Sequence, residues 1–318
     1  MGIHQFFKIR YGGDAKDPKI IKHLGDKLPK LDSLSGLAIA IDAYPIIHAA
    51  VRGMPQVDTL THGEQEKITS HINVIFFNAV MFHKLGIKQL WVFDGGPPTI
   101  KICELKKRKD AREKAKKEAA SCKDAERVKK LEKRSYELES YIIDDVKKLL
   151  TLMGVEWATA PEEAEAYCAY LNKKGRYDYV LSPDSDALVF GAKNLIRPYK
   201  EDKKKVFYVY ARKTILKKLK LDAVQFIEMS VCMGCDFADK VPGIGPATVI
   251  KKAAAGTIHF NQSQKDAIEY YKTALKQDGY KKVKIISKGI NEPKLRKFFK
   301  HNGFTLSRLE IHIDFLKE

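Results

Sequence analysis

The sequence predicts an α/β fold with a central, mainly parallel β-sheet. Apolar runs rich in β-branched and aromatic residues alternate with longer segments of helical spacing, such as PEEAEAYCAYLNKKG (161–175), and this alternation is typical of parallel α/β sheets. The predicted strands are LAIAID (37–42), QLWVFD (89–94), YVLSPD (179–184) and VFYVY (206–210). The 318 residues are enough for one large or two modest domains.

Three of these predicted strands end in an aspartate: Asp42, Asp94 and Asp184. Ligands of parallel α/β sheets bind beyond the carboxyl ends of the strands, so we expect these carboxylates to share one crevice. The third strand continues through Asp186 into an apolar segment, which predicts a strand that turns into a buried helix. Two carboxylates this close repel each other unless a cation neutralises them. The alternative is that Asp184 is a turn residue and Asp186 a helix cap.

Further acids lie in APEEAEA (160–166), at the start of a predicted helix. Pro161 suits the first helical position, where acids in the first turn are favourable. Helical spacing places Glu162 and Glu165 on one face, but it does not place Glu163 and Glu165 together. Simple capping also explains these acids, so spacing alone does not select a functional pair.

Taken together, the acids predict a metal site. A carboxylate cluster without convergent His or Cys suits hard cations, chiefly Mg²⁺ or Mn²⁺. Two such ions about 4 Å apart can hold an attacking water and the leaving oxygen of a phosphodiester in line. We name the candidate residues the acid set: Asp42, Asp94, Glu163, Glu165, Asp184, Asp186 and Asp236.

The composition points to an anionic partner. A formal net charge of +18 favours nucleic acid, although a basic surface that only aids solubility is the alternative. No window reaches the roughly eighteen apolar residues of a membrane span, and we expect no targeting segment. The five cysteines are expected to be reduced thiols. Because Cys232 and Cys235 have no second pair to complete a zinc site, we interpret their C-x-x-C spacing as chance.

Two basic segments are candidates for contact with nucleic acid. Residues 101–134 are crowded with Lys and Arg, which predicts an exposed helical pair or a mobile insertion, with a merely solvated helix as the alternative. In GIGPATVIKKA (243–253), Gly243 and Gly245 let backbone amides approach an anion, and Lys251 and Lys252 follow on a helix. We expect this hairpin to bind a phosphate backbone regardless of sequence, although an ordinary turn also explains an isolated Gly-x-Gly.

Across most of its length the chain resembles the flap endonuclease branch of the structure-specific 5′ nucleases. The motifs that carry the resemblance are MGI (1–3), IAIDAYP (39–45), TSH (69–71), VFDGGPPTIK (92–101), APEEAEAYCAYL (160–171), SPDSDALVFG (182–191) and MGCDFADKVPGIGPATVIKK (233–252). Their order and spacing together are highly specific. The resemblance implies a mainly parallel sheet with helices on both faces, a helical arch insertion and a helix-two-turn-helix DNA-binding element.

The resemblance also assigns roles by motif position. It makes the acid set the ligands of a two-metal site and so selects Glu163 and Glu165. It places Lys101 and Arg108 at the base of the arch, where they orient and neutralise the scissile phosphate. The implied DNA-binding residues are Gly2, His48, Arg52, Gly243, Gly245, Lys251 and Lys252.

The sequence departs from the family pattern after the first strand. The helix between Asp42 and Arg52 is almost one turn shorter than is usual. An aromatic residue that stacks on a base near the scissile phosphate is therefore displaced or replaced, with Tyr44 and His48 as candidates. The C-terminal RLEIHIDFLKE (308–318) lacks the glutamine-plus-paired-aromatic motif by which many relatives bind a sliding clamp.

The implied activity is Mg²⁺-dependent hydrolysis of branched DNA at the base of a 5′ flap, with an associated 5′–3′ exonuclease activity and a role in replication and repair. The expected cofactors are two Mg²⁺ ions, for which Mn²⁺ substitutes, and a K⁺ ion at the helix-two-turn-helix. We further expect a monomer that resides in the nucleus, or in the cytoplasm if it is viral. The alternatives are a Holliday-junction resolvase of the same family and a non-catalytic scaffold that binds branched DNA.

These expectations describe a single nuclease domain over residues 1–318. Its predicted parts are an N-terminal nuclease region (1–100), the basic helical arch (101–134), an internal nuclease region (135–235), the helix-two-turn-helix (236–260) and a C-terminal helical basic region (261–318).

Overall fold

The structure is a computed structural model that describes residues 3, 6, 24–53, 59–62, 65–201, 204–276 and 278–317. The chain divides into two compact units, each assembled from separate segments. Unit 1 contains residues 1–43, 82–100 and 157–285, and unit 2 contains residues 44–81, 101–156 and 286–318. In the described part of the chain, no helix is both long enough and apolar enough to cross a membrane.

The strands form one large mixed sheet and one small pair. They are β1 (Asp26–Lys27), β2 (Ala38–Asp42), β3 (Thr59–His62), β4 (Gln65–Ile68), β5 (Lys88–Phe93), β6 (Glu156–Thr159), β7 (Tyr179–Leu181), β8 (Asn194–Glu201), β9 (Lys204–Ala211) and β10 (Ile285–Ile286). The large sheet has the order β1-β9-β8-β7-β2-β5-β6-β10, and β3 pairs with β4. The central pairs β2–β5, β2–β7 and β7–β8 are parallel, whereas β9 is antiparallel to β1 and β8. The predicted α/β fold with a central, mainly parallel sheet is confirmed.

The four predicted strands correspond to β2, β5, β7 and β9, but the sequence pattern does not predict β8. In β8 only Leu195 and Ile196 are buried, and the rest of the strand contains Pro198 and charged residues. Pairing with β9 sets its register, with Leu195 opposite Tyr210. The strand therefore forms because of its neighbour and not because of a local alternating pattern.

The helices include those predicted after the first strand and around residue 170. They are α1 (Ala43–Gly53), α2 (Ser70–Lys84), α3 (Ile102–Ser121), α4 (Ala125–Ser135), α5 (Ser140–Met153), α6 (Ala164–Lys173), α7 (Asp186–Phe190), α8 (Arg212–Leu219), α9 (Ala223–Cys232), α10 (Pro246–Ala254), α11 (Gln262–Thr273), α12 (Glu292–His301) and α13 (Glu310–Phe315). Helices α3 and α4 occupy the basic segment. They bury only Ala115 and Leu131, so most of their charged side chains face solvent.

Unit 2 has its own apolar core, built around α2, α5 and α12. Phe76 of α2 and Phe299 of α12 meet edge to face at 5.0 Å. Helix α5 ends at Gly154, whose φ of 77° is in the left-handed region. A Cβ atom at this position would lie 2.9 Å from the backbone nitrogen of Ile290. Glycine therefore allows the chain that leads into α12 to pack against the end of α5.

Candidate active site

The strand-end aspartates lie at the carboxyl ends of three neighbouring strands of unit 1. Asp42 is the last residue of β2, Asp94 follows β5, and Asp184 lies shortly after β7. Because β2 pairs in parallel with both β5 and β7, the three residues are at the same edge of the sheet. This is the edge at which α/β sheets bind their ligands.

Hydrogen bonds to these carboxylates shape the turn between β7 and α7. Ser182 Oγ donates to Asp42 Oδ2 at 3.0 Å, and it accepts from the backbone N–H of Asp184 at 3.1 Å. The N–H of Asp186 donates to Asp184 Oδ1 at 3.2 Å. Asp184 is thus also a turn residue, whereas Asp186 is the first residue of α7 and Ser185 is the N-cap. A role in the turn explains the hydrogen bond to Asp184 Oδ1, but it does not explain why the carboxylates of Asp184 and Asp186 are both buried.

Asp94, the residue after β5, binds the first residue of α6. The backbone N–H of Ala164 donates to Asp94 Oδ1 at 2.7 Å, so a carboxylate from another segment satisfies the first helical N–H. Glu163 is the N-cap, with an extended backbone at φ −75° and ψ 132°. Pro161 therefore lies before the helix, and the prediction that it occupies the first helical position is wrong.

The three glutamates of this segment have different surroundings. Glu162 Oε2 accepts a hydrogen bond from the hydroxyl of Tyr270 at 2.8 Å. Glu163 is buried at the N-cap, and Glu165 lies in the first turn of α6. Glu162 and Glu163 both precede Ala164, the first residue of α6, so helical spacing relates neither of them to Glu165. The prediction that Glu162 and Glu165 share a helix face is therefore wrong. The structure separates Glu162 from the pair that the family resemblance selects.

Glu165, Asp184 and Asp186 form a tight carboxylate group. One oxygen from each lies within 4.8 Å of the others. Asp184 and Asp186 are buried, and Glu165 is partly exposed. Desolvation raises the pKa of the Glu165 carboxyl well above its ordinary value, and the charges of Asp42, Asp184, Glu163 and Asp186 raise it further. The group thus concentrates negative charge where water provides little screening.

The remaining acids are linked to this group electrostatically. Asp236 is buried beyond the end of α9. Desolvation raises the pKa of Asp184, and the negative charge of Asp236 adds to the effect. Desolvation also raises the pKa of the buried Cys168 thiol, with further contributions from neighbouring carboxylates that include Asp94. The structure therefore places the whole acid set in unit 1, and it brings Glu165, Asp184 and Asp186 closest together.

The chemistry of these donors fits hard divalent cations. The donors in the tight group are carboxylate oxygens, and buried like charges are stable together only if protons or cations neutralise them. Mg²⁺ and Mn²⁺ prefer such oxygens, whereas softer metals prefer thiolate or imidazole. In the described part of the chain, no other set of three or more His, Cys, Asp or Glu residues offers ligand atoms this close together.

The residues predicted to contact the scissile phosphate belong to unit 2. Lys101 is buried and immediately precedes α3. Arg108, two turns further on, donates from Nε to Glu104 Oε1 at 3.0 Å. Lys101 is the N-cap of α3 and Arg108 lies within the same helix, so one element of unit 2 carries both cations.

The other predicted DNA-binding residues of unit 2 lie on α1. The rings of Tyr44 and His48 are 6.4 Å apart. Desolvation lowers the pKa of His48, and the charges of Arg52, Arg112 and Arg108 lower it further. His48 is therefore neutral at pH 7 within a cationic neighbourhood. The predicted contact at Gly2 lies outside the described residues.

The glycine hairpin leads into α10 as predicted. Gly243 has a φ of 75°, which favours glycine, and a Cβ atom there would meet nothing within 4 Å. Gly245 is the N-cap of α10. Lys251 and Lys252 lie in the last turn of α10 and not beside the glycines. The backbone amides and the lysines are thus at opposite ends of a short helix.

Sequence reasoning missed the polar residues that contact the acid set. Ser182 supports Asp42, and Tyr271 donates from its hydroxyl to Asp186 Oδ2 at 3.1 Å. Ser182 lies two residues before Asp184 in a predicted strand that ends in an acid, so its position could have indicated a contact with the acid set. Tyr271 gave none, because 85 residues separate it from Asp186.

Comparison with known proteins identifies the family. Residues 18–115 match the XPG N-terminal domain, and residues 154–236 match the XPG I-region. Flap endonuclease 1 of Pyrobaculum arsenaticum is 36% identical over 237 residues, which cover 70% of this chain and 68% of that protein. The chain belongs to the XPG/Rad2 family of flap endonucleases.

Solved structures of this XPG/Rad2 family have the same fold. Flap endonuclease-1 from Methanococcus jannaschii matches with a TM-score of 0.65 and 25% identity, over 92% of this chain and 95% of that one. The catalytic core of Rad2 in complex with a DNA substrate matches with a TM-score of 0.69 and 23% identity, over 99% and 100% of the two chains. In this XPG/Rad2-family chain, the acid set lies in the matched regions together with the strand ends that carry it.

Proposed function

We propose that this flap endonuclease hydrolyses the phosphodiester at the base of a 5′ flap in branched DNA, and that the acid set is its two-metal centre. One observation carries the proposal: Glu165, Asp184 and Asp186 direct carboxylate oxygens to within 4.8 Å of one another. Bound divalent ions would supply an activated water and neutralise charge on the phosphodiester. The protein's part is to hold the ligands in place by the turn after β7 and the start of α6.

The proposed cofactors are two Mg²⁺ ions, with Mn²⁺ as a substitute. The all-carboxylate donors support this choice, because both ions accept oxygen ligands in similar geometry. A K⁺ ion near the helix-two-turn-helix remains a proposal from the family resemblance.

Lys101 and Arg108 are proposed to bind the scissile phosphate and stabilise its developing charge. Arg108 forms an ion pair with Glu104. A phosphate offers two oxygens that can accept together from the planar guanidinium, so it can compete with the Glu104 carboxylate for Arg108. Binding of DNA would therefore exchange Glu104 for phosphate at this arginine.

Duplex DNA is proposed to bind at the glycine hairpin and at the lysines of α10. The glycine N-cap of α10 supports this, because Gly245 has no side chain to compete with an anion for the N–H of Ala247. The charge of +18 supports electrostatic capture of DNA at long range. Associated 5′–3′ exonuclease activity, a monomeric state and nuclear residence are proposed on the resemblance alone.

The test uses an end-labelled double-flap duplex beside nicked, bubble and four-way-junction controls. We expect one cut at the base of the flap in Mg²⁺, no cut in EDTA, and at least a 100-fold slower cut by Asp184→Asn. Glu162→Gln is the matched control, because Glu162 bonds Tyr270 and lies outside the acid set. It should cut at nearly the wild-type rate.

Other outcomes would redirect the assignment. Tight binding of the branch without cleavage in Mg²⁺ or Mn²⁺ would leave a DNA-binding scaffold. Cleavage confined to the four-way junction would indicate a resolvase. Full activity of Asp184→Asn would disprove the role of the acid set.

A further inference from the structure

A tyrosine outside the acid set contacts one of its members. The hydroxyl of Tyr271, on α11, donates to Asp186 Oδ2 at 3.1 Å. Tyr271 is 3% exposed and Asp186 is 1% exposed, so water does not compete for this bond. A hydrogen bond to a buried carboxylate is charge-assisted and stronger than one between neutral groups.

The ring of Tyr271 is held by the elements that carry the acids. Its centroid lies 4.8 Å from that of Phe190, which ends the helix that Asp186 begins. It lies 5.2 Å from the ring of Phe237, the residue after Asp236. Because the ring cannot move without displacing both aromatic neighbours, its hydroxyl has a fixed position relative to Asp186.

The single phenol proton of Tyr271 belongs to this bond. A phenol has one proton to donate, and Asp186 Oδ2 accepts it. The thiol of Cys235 is also buried, but a thiol is a much weaker acceptor than a carboxylate.

We propose that Tyr271 is a positioning residue for the metal centre, acting through Asp186. By holding Oδ2, it fixes the rotation of a carboxylate that repulsion from Glu165 and Asp184 would otherwise turn away. The second oxygen of Asp186 would then keep one orientation in which it could bind a cation. This inference rests on the proposed function of the acid set, and it assigns to Tyr271 the orienting role that outer hydrogen-bond partners have in metal sites.

The adjacent residue provides a matched control. Tyr270 also donates its hydroxyl to a carboxylate, but that carboxylate belongs to Glu162, outside the acid set. Tyr270→Phe and Tyr271→Phe remove the same group from neighbouring positions of one helix. Only the second variant removes a bond to a proposed metal ligand.

The first measurement is binding of Mn²⁺ to the full chain without DNA, followed by electron paramagnetic resonance. Outer hydrogen-bond partners typically change metal affinity 10- to 100-fold, so we expect Tyr271→Phe to weaken Mn²⁺ binding about 10-fold. Tyr270→Phe should bind as the wild type does. Circular dichroism of both variants shows whether they fold.

The second measurement is the Mg²⁺ concentration that half-saturates flap cleavage. It should rise about 10-fold in Tyr271→Phe, with much of the rate recovered at saturating Mg²⁺. A folded Tyr271→Phe variant with wild-type Mn²⁺ affinity and wild-type half-saturation would overturn the inference, as would equal losses in both tyrosine variants. If the wild type binds Mn²⁺ but cuts no flap, the proposed function fails while the Mn²⁺ comparison still tests Tyr271.

Discussion

Glu165 and Asp184 show how single residues of the site oppose folding. The pKa of each is raised by desolvation and by neighbouring acids, so the folded chain holds both carboxylates at a cost when no cation is bound. Functional sites commonly keep such unfavourable groups, and removing them stabilises the fold while abolishing activity.

Glu165→Gln is therefore expected to stabilise the metal-free protein in a pH-dependent way. The folded-state pKa of Glu165 lies above the ordinary 4.5, so its charge destabilises the folded state once the pH exceeds 4.5, and increasingly so until the raised pKa is passed. The melting temperature of the variant in EDTA should exceed that of the wild type by an amount that grows as the pH rises above 4.5. For a chain of this length, each kcal/mol of repulsion removed corresponds to about 1–2 °C.

Added Mg²⁺ provides the control for this prediction. It should raise the melting temperature of the wild type more than that of Glu165→Gln, because the variant has lost a ligand. An equal melting temperature of the two proteins in EDTA at pH 8 would contradict the interpretation.

At the scale of elements, the junction between β5 and α6 positions two parts of the site at once. The N–H of Gly95 donates to the carbonyl of Glu162 at 2.7 Å, next to the hydrogen bond that the N–H of Ala164 donates to Asp94. A Cβ atom at Gly95 would collide with the carbonyl of Ala160 and lie 2.6 Å from that of Pro161. At Gly96 a Cβ atom would meet nothing within 4 Å.

Gly95→Ala is expected to destabilise the protein and to slow cleavage, whereas Gly96→Ala should do neither. Overpacking against rigid backbone costs about 1–3 kcal/mol, and relief of the clash would shift Asp94 away from the start of α6. Urea denaturation and the flap assay measure the two effects. If Gly95→Ala and Gly96→Ala had the same stability and the same cleavage rate, the close approach of Gly95 to the backbone of Ala160 and Pro161 would have no effect on either property.

The same junction shows which parts of the site the sequence could predict. Strand-end patterns correctly located Asp42, Asp94 and Asp184, because strand periodicity is a local property. The choice between Glu162 and Glu163 could not be made from spacing, because α6 begins only at Ala164, where its N–H binds Asp94 after β5. Tyr271 was missed for the same kind of reason, since only tertiary folding brings it to Asp186.

For the whole molecule, positive charge is the dominant property. The net charge of +18 provides a field for any nucleic acid, but not every lysine contributes to a specific contact. Two helices allow a comparison, since α10 has Lys251 and Lys252 in its last turn and α8 has Lys217 and Lys218 in its last turn.

Replacing both α10 lysines with alanine is expected to weaken DNA binding and reduce its salt dependence. Each lost phosphate contact lowers the slope of log K against log salt by about 0.9, so the slope should fall by about 2. Fluorescence anisotropy with the Asp184→Asn background and a labelled flap duplex measures this. The matched double variant, Lys217→Ala with Lys218→Ala, should bind DNA somewhat more weakly because its net charge is lower, but its slope should change little. An equal loss of slope in the two double variants would show that the α10 lysines make no specific phosphate contacts.

The distribution of the acid set along the chain has a consequence during protein synthesis. Its members extend from Asp42 to Asp236, and unit 1 closes only with its last segment, residues 157–285. A nascent chain still attached to the ribosome at residue 230 would lack one proposed ligand, and Tyr271 would be absent too. Incomplete chains would thus carry basic surface without the complete acid set.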